Sequence, residues 1–348
     1  MSKQNPSQLD SLIEEYLSVS NNTKKENLLI QIMSSLWRQG FQKFDDKFKS
    51  SFTKKQKVEF IENIFNILKK SETIDKGAIL EILKDILIKS DFNIKDEIIS
   101  VYYDELFNEK DFMNALESLK IFIGIWDRVD DNFRLKIFDK LLDFVDNIQE
   151  DILIEEGFFE ITNLLENYSA EIISSSQKAR LLDILIKKIE DRKERSVKYA
   201  GFESLKKLVD VNVDIIDDVT FNKVRPLLEK FVNYKQPSVI LSLIRLFLWF
   251  DKFLSAEDEQ RLREMIKNIK KRLDFSDIHQ FFEIFRMILL YSRNIDKNAL
   301  MRENFDIFQM YHKRRATLEE YTLELYEEII NLMWPILTDE EKDLFYRE

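Results

Sequence analysis

Apolar residues recur along this chain at three- and four-residue steps, the spacing that gathers them on one face of a helix. The clearest case is 195–209, where Val197, Ala200, Gly201, Ser204, Leu205 and Leu208 share a face. Three of these side chains are very small, so a neighbouring helix can come close. Leu9, Leu12, Ile13, Tyr16 and Leu17 predict a helix over 7–19. Leu28, Leu29, Ile32, Met33, Leu36, Trp37 and Phe41 predict a longer one over 24–44. Thr53 is placed to cap a helix over 53–70. Others are predicted over 76–89, 94–108, 111–128, 130–149, 151–168 and 174–191.

The stretch 211–218 is rich in β-branched and acidic residues and reads as a connection. Beyond it a helix over 219–234 must bend or restart at Pro226, because proline lacks the N–H that the ladder needs. Pro237 opens 237–253 in its first turn. Ser255 caps 255–273, with Glu257, Asp258 and Glu259 where the helix dipole favours acids. Helices at 276–293, 296–314, 317–335 and 338–346 complete the series. The pattern amounts to about 16–17 helices joined by connections of roughly 2–6 residues, short enough to force antiparallel pairing. One pair takes about 40 residues, the size of a helical-repeat unit.

Composition narrows the picture. Gly is 5 and Pro is 4 in 348 residues, too few for hairpin turns or Gly-rich phosphate loops. Cysteine is absent, which removes disulfides, thiolate metal sites and cysteine nucleophiles, and fits a cytoplasmic protein. The most apolar run, 239–254, is interrupted by Ser242, Arg245, Asp251 and Lys252, so it predicts a buried helix and no membrane partner. At 348 residues the chain exceeds the usual single core of roughly 250–300 residues. The expected fold is therefore all-α, an α-solenoid of stacked antiparallel helix pairs in a right-handed superhelix. It forms one elongated domain over 1–348, with 211–220 the one candidate sub-boundary.

The segment 191–208 resembles the second helix of a HEAT repeat: an acid, a few polar residues, a Val, a base, then small residues and leucines. Val197, Lys198, Gly201, Ser204, Leu205 and Leu208 hold those positions. A fainter echo follows Pro237, with Val239, Leu243 and Phe247. The resemblance to HEAT and armadillo proteins implies a solenoid and an extended binding surface, with no particular ligand.

No catalytic motif accompanies this pattern. His279 and His312 lack the Glu-x-x-His spacing of a helix-bundle metal site, since Ser276 and Gln309 stand three residues before them. Paired carboxylates such as Asp130-Asp131 and Glu155-Glu156 fall on polar faces or first turns, where solvation accounts for them. No cofactor or metal is expected, and the chain is not expected to be an enzyme.

Charge is distributed unevenly. The net charge is −11, and 127–160 alone holds eleven acids against four bases, a balance of −7. Asp139, Asp143, Asp146 and Glu150 are candidates for contact with a basic protein partner, and Trp249 is a candidate anchor. Two basic clusters oppose them: Arg192, Lys193, Arg195, Lys206 and Lys207 in one, Arg263, Lys267, Lys270 and Lys271 in the other. The helix count puts these clusters on an even and an odd member of the series, which line opposite faces of a regular stack. The function expected is a non-enzymatic scaffold or adaptor for a protein or peptide. The alternatives are a nucleic-acid binder using the basic clusters and, last, a metal-dependent all-α enzyme.

Overall fold

The computed structural model describes residues 8–39, 42–70, 73–89, 111–168 and 173–346, and the predicted helix over 94–108 lies outside them. Among the described residues the chain is all-α, with no strand. Its contacts divide it into two compact units. Unit 1 is Met1–Glu160 with Glu171–Gln177; unit 2 is Ile161–Ala170 with Lys178–Glu348. The division falls along one helix near 160, while 211–220 lies inside unit 2. The charge is divided too: unit 1 carries −10 of the chain's −11 and unit 2 only −1.

Unit 1 begins with α1 (Gln8–Ser18), α2 (Asn22–Gln39), α3 (Gln42–Ser51), α4 (Lys54–Lys70) and α5 (Thr73–Lys89). The rod predicted over 24–44 is described as two helices, one ending at Gln39 and the next starting at Gln42. Thr53 and Gln56 form a reciprocal cap on α4. An aromatic cluster of Tyr16, Phe44, Phe48, Phe52 and Phe60 ties α1, α3 and α4 together, with ring centroids 5.0 to 6.4 Å apart. Next come α6 (Phe112–Gly124), α7 (Asp131–Asn147) and α8 (Asp151–Asn167). Asp111 and Asp130 cap α6 and α7. Gly124 closes α6 and does not lie in its interior; a single 3-10 turn, Trp126–Arg128, follows it.

Unit 2 continues through α9 (Ser175–Asp191), α10 (Arg195–Val211), α11 (Asp218–Val224), α12 (Pro226–Phe231) and α13 (Pro237–Trp249). It ends with α14 (Ala256–Ile269), α15 (Phe275–Tyr291), α16 (Lys297–His312), α17 (Glu320–Met333) and α18 (Asp339–Tyr346). Pro226 restarts the helix, as its missing N–H requires. The predicted 237–253 is shorter, because Phe250 N bonds to Phe247 O at 3.0 Å and tightens the last turn. Ser255 and Asp258 form a capping box on α14.

Neighbours in unit 2 pack in two layers. The first is α10 on α13, α13 on α15, and α15 on α17. The second is α12 on α14, α14 on α16, and α16 on α18. Polar contacts between helices carry the same rhythm. Lys223 meets Asp183 40 residues away at 2.7 Å, Lys207 meets Glu166 41 residues away at 3.1 Å, and Arg286 meets Glu328 42 residues away at 2.7 Å. One helix pair per about 40 residues is the repeat that helix lengths predict.

Candidate functional site

The first layer of unit 2 turns a polar face outward. On α10, Tyr199, Glu203, Lys206 and Asp210 stand at steps of four, three and four, so they form one stripe. The same steps give Ser238, Ser242, Arg245 and Trp249 on α13, His279, Glu283, Arg286 and Leu290 on α15, and Tyr321, Leu325, Glu328 and Leu332 on α17. Bonds between the helices fix the register. Ser242 Oγ donates to Glu203 at 2.5 Å, Arg245 Nη1 to Glu283 at 2.7 Å, and Arg286 Nε to Glu328 at 2.7 Å. His279 Nδ1 lies 3.2 Å from Thr322 Oγ1, and its ring packs on Tyr321 at 4.7 Å.

The stripes therefore align as four rows across four helices. The first runs Tyr199, Ser238, His279, Tyr321, the second Glu203, Ser242, Glu283, Leu325, the third Lys206, Arg245, Arg286, Glu328, and the fourth Asp210, Trp249, Leu290, Leu332. Most of these side chains are half-buried, whereas Trp249, Leu290 and Tyr321 are exposed. The charges neutralise one another: Lys206 pairs with Glu203 and Arg245 with Glu283 between the second and third rows, and Arg286 with Glu328 along the third.

Asp210 is the strained member. Burial pushes its carboxyl above the ordinary value, against the opposing pull of Arg245 and Lys206 and a hydrogen bond from Trp249. Its Oδ1 is buried with no hydrogen-bond partner, and so is Arg245 Nε. Trp249 and Lys206, expected in separate roles, meet at this one carboxylate.

The remaining candidates are dispersed. In the first basic cluster Lys206 and Lys207 are paired with Glu203 and Glu166, and Arg195 reaches Ser238 at 3.4 Å. Arg192 is half-buried and Lys193 exposed, in the turn between α9 and α10. In the second, Arg263 binds Glu303 and Lys270 lies 2.9 Å from Asp306, while Lys267 and Lys271 are exposed. The first cluster belongs to the layer of α10 and the second to the layer of α14, so they do not form one surface. Asp139, Asp143 and Asp146 line α7, and Asp139 accepts from Gln177 Nε2 at 2.8 Å. Glu150 is exposed just before α8. Asp143 borders a shallow groove of about 170 Å³ between α6 and α7, lined also by Phe112 and Phe144. That is below the roughly 300 Å³ at which small-molecule pockets begin.

Both histidines are half-buried and bonded to hydroxyls, His312 Nδ1 lying 3.2 Å from Tyr326 Oη. Among the described residues no group of His, Asp or Glu is arranged to hold a metal, and no helix is long and apolar enough to cross a membrane. Sequence reading passed over Arg245, Glu283 and Asp210. The signal was there: an acid or Ser three residues before a base recurs at 203/206, 242/245 and 283/286.

The sequence matches no known protein-family model, and a search of curated proteins finds no relative.

Proposed function

We propose that this chain is a non-enzymatic scaffold of the HEAT or armadillo kind, which holds another protein against the outer face of α10, α13, α15 and α17. One observation carries the reading: four parallel helices align polar and aromatic residues in rows, with Trp249 exposed at the edge beside a buried carboxylate. Stacking yields an extended surface without a reactive centre. The charges on this face are already paired within the chain, so they orient a partner and set specificity more than they drive affinity. Trp249 supplies apolar area and is the anchor. On this reading the protein acts in the cytoplasm.

The test is a quantitative pull-down with the full chain, comparing wild type with the double variant Trp249→Ala, Arg245→Glu. Proteins captured by wild type are expected to fall by about tenfold with the variant, the loss of one anchor residue. A control, Lys223→Glu on α11, is expected to capture them normally. Equal capture by all three would overturn the assignment of the face. Turnover of a substrate by the purified chain would overturn the scaffold reading itself.

A further inference from the structure

The outer stripes of α6 and the first half of α8, within unit 1, differ in kind from the face of unit 2. On α6, Met113, Glu117 and Lys120 stand at steps of four and three; on α8, Ile152, Glu155, Glu156 and Phe159 lie within one stripe. Lys120 Nζ joins the two, 3.1 Å from Glu117 and 2.6 Å from Glu156. Lys84 of α5 adds a second bond to Glu117 at 3.0 Å. Around this bonded centre the apolar side chains protrude: Ile152 is 68% exposed, Met113 55% and Phe159 46%. Large apolar residues scattered singly on a surface need no explanation, but three framing one charged network form a patch.

The charge of the patch selects its occupant. The base in these two stripes, Lys120, is held by two acids, and its pKa is raised above the ordinary value: burial works against the charge, yet Glu156 and Glu117 outweigh it. Glu155, next to Glu156 in the chain, is half-buried. The first half of α8, 151–160, carries four acids (Asp151, Glu155, Glu156 and Glu160) and no base. An anionic segment would be repelled here, and a purely polar cationic one would leave Ile152, Met113 and Phe159 in water.

We propose that the outer face of α6 and α8 docks a cationic amphipathic segment of another protein, apolar residues on Met113, Ile152 and Phe159, Lys or Arg against Glu155 and Glu156. The proposal rests on the scaffold reading and gives it a partner chemistry, on residues of unit 1, whereas Trp249 belongs to unit 2.

The experiment uses the full chain and a fluorescein-labelled Leu/Lys heptad peptide as probe, read by anisotropy. The peptide binds saturably, and more weakly as salt is raised. Ile152→Asp with Phe159→Asp weakens it about tenfold or more, with the circular-dichroism melt unchanged, since both sites are solvent-exposed. Glu155→Lys weakens it too and keeps the test alive if the double variant does not fold. A Leu/Glu peptide and a Ser/Lys peptide do not bind. Equal binding of either control peptide, or of the Asp double variant, overturns the proposal. Trp249→Ala binds the probe like wild type; loss of binding there would move the site to unit 2 and overturn this assignment while leaving the scaffold reading intact.

Discussion

Arg245 on α13 reaches Glu283 on α15 at 2.7 Å, across 38 residues of sequence. That separation is one helix pair, and the bond ties two successive members of the same layer. Both side chains are about a third exposed, so the pair is worth little beyond orientation. A double-mutant cycle of Arg245→Ala and Glu283→Ala, followed by urea unfolding, is expected to give a coupling of about 0.5–1 kcal/mol. No measurable coupling would detach the pair from the packing of α13 on α15.

Gly124 permits a close approach of α5 to α6. A Cβ there would meet Ile88 Cγ1 of α5 at 2.6 Å, with Cδ1 nearer still. Overfilling such a contact costs about 1–3 kcal/mol. Gly124→Ala should therefore lower stability by that amount, and adding Ile88→Ala should cost less than the two changes summed. Gly157→Ala repeats the test against Val145 Cγ2, also at 2.6 Å. Additive losses would show that crowding is not the reason for glycine.

The cap of α14 separates a local effect from a network. Ser255 Oγ accepts from Asp258 N at 3.2 Å, and Asp258 Oδ2 accepts from Ser255 N at 3.1 Å. Asp258 is fully buried and binds Arg225 at 2.9 Å and Arg261 at 3.2 Å as well. Ser255→Ala removes the cap together with a long 3.5 Å contact from Arg225 Nη2, and is expected to cost about 1 kcal/mol. Asp258→Ala strips Arg225 of this carboxylate, while Arg261 keeps Glu229 and Glu257, and should cost about 2–3 kcal/mol. Equal costs by thermal unfolding would mean that the arginines contribute nothing.

The helices were legible because they bury an amphipathic stripe and several start on a side-chain cap, as Thr53, Asp130 and Ser255 show. Their ends were less so. The 3-10 turns after Gly124 and Trp249 keep an apolar rhythm past the point where the α-helix stops, so the predicted 111–128 and 237–253 overran. The layering was not legible as a parity of helix order: Pro226 splits one predicted rod into α11 and α12, so α10 and α14 are both even in chain order yet pack in different layers. The rows on the outer face were hidden for a different reason. Residue type varies along each row, from Tyr199 to Ser238 to His279, and only the bonds between helices reveal the common register. Nothing in one helix announces that Asp210 will sit under Trp249.

Two acids, Glu117 in unit 1 and Asp210 in unit 2, respond to pH with opposite sign. Burial would raise Glu117, but the ammonium groups of Lys84 and Lys120 outweigh it and hold the carboxyl below its ordinary value. The folded state thus favours the charged form, and its contribution is present above the unfolded pKa and lost as pH falls through the folded one. Glu117→Gln should destabilise the chain at neutral pH, and its deficit should close as pH drops below the ordinary carboxylate range. Asp210 is raised by burial, so the folded state favours the proton. Its contribution is present below the unfolded pKa and lost as pH rises through the folded value. Asp210→Asn mimics the protonated form, so it should stabilise the chain at neutral pH and match wild type in acid. Melting temperatures of both variants across the acid range check the pair. A deficit for Asp210→Asn at neutral pH would mean that Arg245, Lys206 and Trp249 together outweigh the burial of that carboxylate, and that it is a held anion after all.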